Sequence, residues 1–301
     1  MSRIAYVNGR YLPHSAAAVH IEDRGFQFAD AVYEVCEIRD GALVDPTLHF
    51  ERLERSLREL AIAVPTSRSA MLVVMRRVAA LNRVHDGSLY IQVSRGQARR
   101  DHVFPSPAVP PTVVMTAKPV ARAKGEALAE QGIKVITVPE NRWSRVDIKS
   151  VSLLPNCLAK QAAKEAGARE AWFVDANGCV TEGGSTNAWI VTRDGVLVTR
   201  PAEYGILRGI TRTVTLKVAA KLGLKVEERA FSVEEAKHAR EAFVTAATTL
   251  VMPVVAVDDA PIGNGAPGTT ALALRHAFHD STEMVPVHTA ARHLWPRSHA
   301  G

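Results

Sequence analysis

The chain has 301 residues, a length that suits one large domain or two smaller ones. Hydrophobic residues make up 47% and charged residues 23%, which is typical of a globular protein with a sizeable core. The formal net charge of +6 is compatible with anionic substrates, whereas a nucleic-acid partner is disfavoured because no basic block is interleaved with aromatic side chains.

No apolar run is long enough to cross a bilayer, and the first residues, MSRIAYVNGRYLPHS, lack a continuous apolar stretch and a small-residue cleavage site. We therefore expect a cytoplasmic protein without a membrane partner. Cys36, Cys157 and Cys179 are odd in number and scattered, so they indicate isolated side chains rather than a disulfide framework or a metal site.

The N-terminal part of the chain alternates β patterns with two helical patterns. Asn-Gly at 8–9 and Asp-Gly at 40–41 each separate two apolar runs and predict β-hairpins. Apolar residues recur at helical spacing over about 48–60 and about 67–81. The predicted strands are IAYV, RYL, VYEVCEIR, ALV, SLYIQVS and TVVMTA. We assign residues 1–120 to an N-terminal α/β domain.

Residues 121–130 lack a β pattern and are the predicted interdomain linker. The strands predicted after it are IKVITV, EAWFVD, CVTEG, NAWIVT, VLVT, AFVT and VMPVVAVD. Helices are predicted over about 158–168, after Gly209, at Val233 and from about Thr270. We assign residues 131–285 to a C-terminal domain and expect an irregular tail over 286–301. Without strict βαβ alternation, the fold class is α+β or mixed α/β.

Two local patterns could suggest other functions. Gly263 to Gly268 fits GxGxxG, but a dinucleotide site needs a βαβ unit and a later acidic residue, so a hairpin turn before a helix is favoured. His276 and His279 could share a metal on one helix, but no third ligand cluster accompanies them, and we predict no metal site.

Four segments become informative when they are taken together: EDRGFQFADAVYE, SRGQARRDHVFP, DIKS and TEGGSTN. In order and spacing they resemble the two-domain fold-type IV pyridoxal-phosphate enzymes, most closely the bacterial D-amino acid (D-alanine) aminotransferases. The resemblance covers nearly the whole chain. It implies pyridoxal 5′-phosphate as cofactor and ping-pong transfer of an amino group from a D-amino acid, such as D-alanine, to a 2-oxo acid, such as 2-oxoglutarate.

The resemblance assigns roles at the cofactor ring. Alone, Lys149 would be an ordinary surface charge, but the resemblance implies that it is the Schiff-base lysine and carries the α-proton. Alone, Glu182 would be a carboxylate at a strand end. The resemblance implies that it pairs with the pyridine nitrogen, supported by Asn187, while Leu207 packs against the ring.

A phosphate site is implied as well. Arg52 on the first helix would bind phosphate oxygens with two parallel bonds. The N–H groups of Ile210 and Thr211 and the Thr211 hydroxyl would contribute at a helix N-terminus, where Gly209 lets the backbone approach closely. Thr248 would complete the phosphate contacts.

Substrate oxygens are expected near Ser185 and Thr186. The chain departs from the family pattern at two places. Ala246 and Ala247 stand where the family has hydroxyl residues, so we expect one side-chain hydroxyl from this loop. Gly184 replaces a common serine, so we expect one substrate contact to be lost.

Substrate handedness is expected to depend on Tyr33, Arg100 and His102. The resemblance implies that Tyr33 and an Arg-x-His pair from the partner subunit trap the substrate carboxylate. This arrangement predicts a homodimer with a shared active site.

Two alternatives share the fold, an L-branched-chain aminotransferase and a 4-amino-4-deoxychorismate lyase. Both would keep Lys149, Glu182 and Arg52 but should lack the Arg-x-His pair. Outside the fold, a basic binding protein without catalysis is the remaining alternative, and it would be colourless.

Overall fold

The computed structural model describes residues 3–203 and 205–288. Within these ranges the chain forms a seven-stranded sheet and a nine-stranded sheet, each covered by helices. Both helix and strand are abundant and the predicted mixed fold class is confirmed. None of the helices in the described ranges is long and apolar enough to span a bilayer.

The first sheet is antiparallel throughout and has the strand order β16-β4-β3-β5-β6-β1-β2. Its strands are β1 (Ile4–Val7), β2 (Arg10–Pro13), β3 (Ala31–Arg39), β4 (Ala42–Val44), β5 (Gly87–Ser94), β6 (Thr112–Pro119) and β16 (Met284–Pro286). Its helices are α1 (Arg24–Phe28), α2 (Pro46–Glu59) and α3 (Arg68–Leu81), and a 3-10 helix covers His14–Ala16. Both predicted hairpins form, and the positive φ of Gly9 (88°) and Gly41 (71°) explains the glycines in their turns.

The second sheet is mixed and has the order β12-β11-β10-β13-β14-β7-β8-β9, with β15 added beside β14. Parallel pairing joins β7 to β8, β7 to β14 and β11 to β12. Its strands are β7 (Ile133–Pro139), β8 (Glu170–Val174), β9 (Val180–Gly183), β10 (Asn187–Val191), β11 (Leu197–Thr199), β12 (Val226–Glu228), β13 (Glu241–Ala246), β14 (Leu250–Val257) and β15 (Ala260–Pro261). Its helices are α5 (Leu154–Glu165), α6 (Ile210–Lys221), α7 (Val233–Lys237) and α8 (Thr269–His276), and a 3-10 helix covers Phe278–Ser281.

Each sheet has its own apolar core. In the first, Leu57 on α2, Met75 on α3 and Leu89 on β5 are fully buried in one cluster. In the second, three clusters lie around Trp172, Trp189 and Phe173. The two sheets therefore have separate apolar cores.

The segment predicted as the interdomain linker, 121–130, is mostly a helix, α4 (Arg122–Gln131). The absence of a β pattern concealed a run of good helix formers, RAKGEALAEQ. Arg275 on α8 holds Glu126 with two hydrogen bonds of 3.0 and 3.1 Å, so α4 is fixed to the second sheet's helices. Helix α5 begins at Leu154 rather than near residue 158, because Pro155 is tolerated in a first helical turn.

The strand β16 corrects the predicted irregular tail and the end of the C-terminal domain. Met284–Pro286 pairs antiparallel with β4 of the first sheet, and the buried Val287 donates its N–H to the Gly41 carbonyl at 2.8 Å. A short edge strand that pairs with a distant partner leaves little local signal. The rest of the predicted tail, 289–301, lies outside the described residues.

Candidate active site

A cavity lies between the two sheets, beside α2 and at the amino end of α6. Most predicted site residues line it: Tyr33, Arg52, Lys149, Glu182, Ser185, Thr186, Asn187, Leu207, Gly209, Ile210, Thr211 and Thr248. Residues far apart in the chain thus contribute to one cavity. Arg100 and His102 are not among its lining residues.

Lys149 follows the second sheet's first strand but is attached to the first sheet. The Lys149 carbonyl accepts the N–H of Tyr33 at 3.0 Å, and the N–H of Val151 donates to Ala31 at 3.1 Å. The segment therefore forms an isolated antiparallel bridge with β3, at Val32 and Ser150. Lys149 Nζ lies 4.2 Å from the centroid of the Tyr33 ring. The backbone hydrogen bonds to β3 fix the position of the Lys149 Cα, and the Tyr33 ring makes a cation–π contact with the Lys149 amine.

Glu182 is buried near the end of β9 and its two carboxylate oxygens have separate partners. Oε1 accepts a hydrogen bond from Arg142 Nη1 at 2.5 Å. Oε2 accepts from Asn187 Nδ2 and from the Leu207 N–H, both at 3.1 Å. Burial raises the pKa of the Glu182 carboxyl, and Arg142 opposes that rise. A carboxylate held by three donors presents a fixed anion to the cavity.

The amino end of α6 meets the cavity at Gly209, which is its N-cap. A Cβ at this position would lie 2.0 Å from Asn187 Oδ1, so a larger residue would displace Asn187. The free N–H groups of the first turn, at Ile210 and Thr211, suit an anion. The turn from Ala246 to Thr248 also lines the cavity, and in it Thr248 carries a hydroxyl whereas Ala246 and Ala247 do not.

Arg52 is held by a buried carboxylate that the sequence analysis missed. Its Nε and Nη2 donate to the two oxygens of Glu34, both at 2.8 Å, and Nη1 donates to the Arg208 carbonyl at 3.1 Å. His49 Nδ1 lies 2.7 Å from Glu34 Oε2. Two parallel bonds to a phosphate can therefore come only from the Nη1 and Nη2 end of the guanidinium.

The Glu34 carboxylate is ionised despite its burial. Burial raises its pKa, but the Arg52 charge and hydrogen bonds, with those of His49, outweigh burial and lower the pKa to about 2. A signal for this residue exists in the sequence, because Glu34 occupies the face of β3 on which Val32 and Cys36 are buried. A charged residue at such a position requires a partner.

Ser185 and Thr186 line the cavity, but both hydroxyls donate to the buried Glu170, at 3.0 and 3.3 Å. Gly184, where the sequence predicts the loss of one substrate contact, also lines the cavity. A Cβ there would lie 3.0 Å from Glu170 Oε1 and from Lys160 Cδ, so a serine would point towards these two side chains. The missing serine contact is thus on the side of the loop occupied by Lys160.

Arg100 and His102 lie on an exposed loop after β5. Arg24 holds this loop by donating to the carbonyls of Asp101, at 2.5 Å, and His102, at 3.4 Å. The Phe28 ring lies 5.4 Å from the His102 ring and 5.0 Å from Arg100 Cζ. The loop is ordered against α1, but a single chain does not bring these two side chains to the cavity.

The donor set fits pyridoxal 5′-phosphate. The cavity offers an amine for the aldehyde at Lys149, a buried carboxylate for the ring nitrogen at Glu182, and phosphate donors at Arg52 and the start of α6. The glycine at 209 keeps Asn187 against Glu182. Each group of the cofactor thus has a matching partner among the lining residues.

The known proteins that this chain resembles in sequence or structure are aminotransferases. The family model for class IV amino-transferases matches residues 31–257. The D-alanine aminotransferase of Bacillus licheniformis is 39% identical over 274 residues, which cover 91% of this chain and 95% of that protein. The D-alanine aminotransferase of Staphylococcus aureus (strain N315) is 37% identical over 278 residues, 92% of this chain and 97% of that protein. A solved structure of the T.th. branched-chain amino acid aminotransferase with pyridoxamine 5′-phosphate is 26% identical, with a TM-score of 0.84 over 92% of this chain and 93% of that one.

Proposed function

The chain belongs to the class IV aminotransferases, and we propose that within this family it transfers the amino group of a D-amino acid, such as D-alanine, to a 2-oxo acid, such as 2-oxoglutarate. Its cofactor is pyridoxal 5′-phosphate, and its substrates are amino acids and 2-oxo acids. The observation that carries the choice of D-amino acids is the 39% identity to a D-alanine aminotransferase over 91% of the chain. The cytoplasmic location stays a prediction from the sequence.

Two residues, Lys149 and Glu182, would act directly on the cofactor. Bound pyridoxal phosphate supplies an aldehyde that takes up the amino group and a ring that accepts electrons from the α-carbon. Lys149 Nζ would hold the cofactor through its aldehyde and, when free, would move the proton of the α-carbon. The Glu182 carboxylate would pair with the protonated ring nitrogen, and Asn187 and the Leu207 N–H hold the carboxylate in place through Oε2.

The phosphate is held from two directions. Arg52 contributes its Nη1 and Nη2 end, and Glu34 fixes the plane of the guanidinium through its other edge. The N–H groups of Ile210 and Thr211 act from the helix end, and Thr248 adds a hydroxyl.

Substrate selection requires a second copy of the chain. In this proposal, Arg100 and His102 of the partner subunit complete a carboxylate trap beside Tyr33, which lines the cavity. Two apolar side chains near this loop support a covered surface, since Phe26 is 75% and Val103 73% exposed in the single chain. We therefore propose that the active unit is a homodimer.

The branched-chain alternative is favoured by one observation, the TM-score of 0.84 to the T.th. branched-chain enzyme. The test is a half-reaction with each enantiomer of alanine and with L-leucine, followed through the cofactor absorbance. We expect D-alanine to convert the cofactor fastest. Faster conversion by L-leucine would replace the proposal with branched-chain activity, and conversion by none of them would direct attention to aminodeoxychorismate.

A further inference from the structure

The Glu182 carboxylate is paired with a buried arginine, Arg142. Arg142 Nη1 donates to Glu182 Oε1 at 2.5 Å, and the Arg142 side chain is only 5% exposed. Besides Arg142, the charged group acting on Glu182 is Lys149, while Asn187 and the Leu207 N–H contribute neutral donors. Arg142 is thus the direct ionic partner of the carboxylate proposed to protonate the cofactor ring.

Arg142 is itself held in place by a second carboxylate. Its Nε and Nη2 donate to Glu140 Oε1 and Oε2 at 2.8 and 2.6 Å. Thr181 Oγ1 donates to Glu140 Oε2 at 2.7 Å, and the Phe173 ring centroid lies 4.4 Å from Arg142 Cζ. One guanidinium therefore bridges two carboxylates, with its plane fixed by a fork of hydrogen bonds and an aromatic ring.

We propose that Arg142 is a positioning residue that keeps Glu182 ionised, and that Glu140 sets how much of the Arg142 charge acts on Glu182. The inference rests on the proposed function, in which Glu182 pairs with the cofactor ring. A buried carboxyl without an opposing charge takes up a proton, and a protonated Glu182 no longer attracts a proton on the ring nitrogen. Glu140 neutralises part of the guanidinium charge, so Glu182 stays a strong enough base to hold that proton. Removing Arg142 should therefore make Glu182 easier to protonate, and removing the Glu140 charge should make it harder to protonate.

The test is a pH titration of the Glu182 carboxyl in the protein loaded with pyridoxal phosphate. Carboxyl infrared or ¹³C NMR signals are assigned by their loss in Glu182→Gln. In Arg142→Met the protonation midpoint of Glu182 should rise by about 1 to 3 pH units, and in Glu140→Gln it should fall. Arg142→Lys keeps the charge without the fork, so its midpoint should lie between those of the parent and Arg142→Met.

Arg145→Met is the matched control, because Arg145 also bridges two carboxylates, Glu59 and Asp147, but at the surface. Equal Glu182 midpoints in Arg142→Met and Arg145→Met would overturn the proposal, as would midpoints that move the same way in Arg142→Met and Glu140→Gln. If Arg142→Met does not fold, the proposal requires that the Glu182 midpoint rises in Arg142→Lys and falls in Glu140→Gln, and any other pair of shifts overturns it.

Turnover gives a second measurement. Arg142→Met should lower kcat more than it changes KM, and the loss should deepen as the pH falls below the raised midpoint. Unchanged turnover and cofactor absorbance in Glu182→Gln would instead refute the role of Glu182. The carboxyl titration would still report the contact with Arg142.

Discussion

The cofactor side and the substrate side of the cavity are built differently. The cofactor side is formed within one chain, with Arg52 and Arg142 each held by a buried carboxylate. The substrate side offers Tyr33, while Arg100 and His102 lie on an exposed loop outside the cavity. A single chain thus brings together the residues proposed to bind the cofactor, whereas the proposed selection of the substrate depends on a surface loop and on assembly.

The largest expected effect is on the cofactor side. Lys149→Ala removes the proposed anchor and proton carrier, so transamination should fall by at least about 1,000-fold. Stopped-flow measurement of the D-alanine half-reaction checks this. Lys225→Ala, which changes an exposed lysine, is the control. Turnover near the parent rate would remove Lys149 from the mechanism.

A second prediction concerns the buried carboxylate behind Arg52. The folded-state pKa of Glu34 is lowered from its ordinary value of 4.5 to about 2. Its contribution to the free energy of unfolding is therefore complete above about pH 4.5 and is lost as the pH falls towards 2. Denaturant unfolding across this range should show a pH dependence on the order of 3 kcal/mol that Glu34→Gln lacks.

The matched control for Glu34 is Glu54, which holds Arg68 with the same fork, at 2.7 and 2.6 Å, on the surface. Because exposed pairs contribute little, Glu54→Gln should change the unfolding free energy by less than about 1 kcal/mol. Equal effects at the two sites would show that burial of the Arg52 pair is unimportant.

The third prediction tests the substrate side. Arg100→Ala removes the proposed charge-assisted contact to the substrate carboxylate. Loss of such a contact typically costs about 1.5–3 kcal/mol, or roughly 10- to 150-fold in D-alanine turnover. The ratio of D-alanine to L-alanine turnover should fall, while the absorbance spectrum of the bound cofactor should not change. The adjacent, exposed Arg99 is the control position.

The same variant tests assembly. Heterodimers formed from Arg100→Ala and Lys149→Ala chains should regain activity, because one of their two sites carries both intact residues. If purified heterodimers stay inactive, the site is not shared between subunits.

The smallest expected effect is at the turn from Ala246 to Thr248, which is proposed to face the cofactor phosphate. Thr248→Ala removes one neutral hydrogen bond and should weaken pyridoxal phosphate binding about fivefold, as measured by cofactor titration. Ala247→Ser should strengthen it by a similar factor if the turn faces the phosphate. Identical affinities in both variants and the parent would exclude this turn from the phosphate site.

Sequence alone predicted the fold class, both N-terminal hairpins and the family, because these depend on local patterns and on motifs that keep their order. The side chains that hold the site were missed. Glu34 and Arg142 find their partners 18 and 40 residues away, and no motif or period links the members of either pair. The helix α4 and the strand β16 were missed because their patterns are short or weak. The roles assigned to individual site residues stay predictions.

The return of the chain to its first sheet also joins the two halves more than once. The chain crosses between the sheets through α4, again where Lys149 and Val151 bond to β3, and a last time before β16, which pairs with β4. A proteolytic cut before Met284 would therefore detach β16 from the second half without separating the two halves of the molecule.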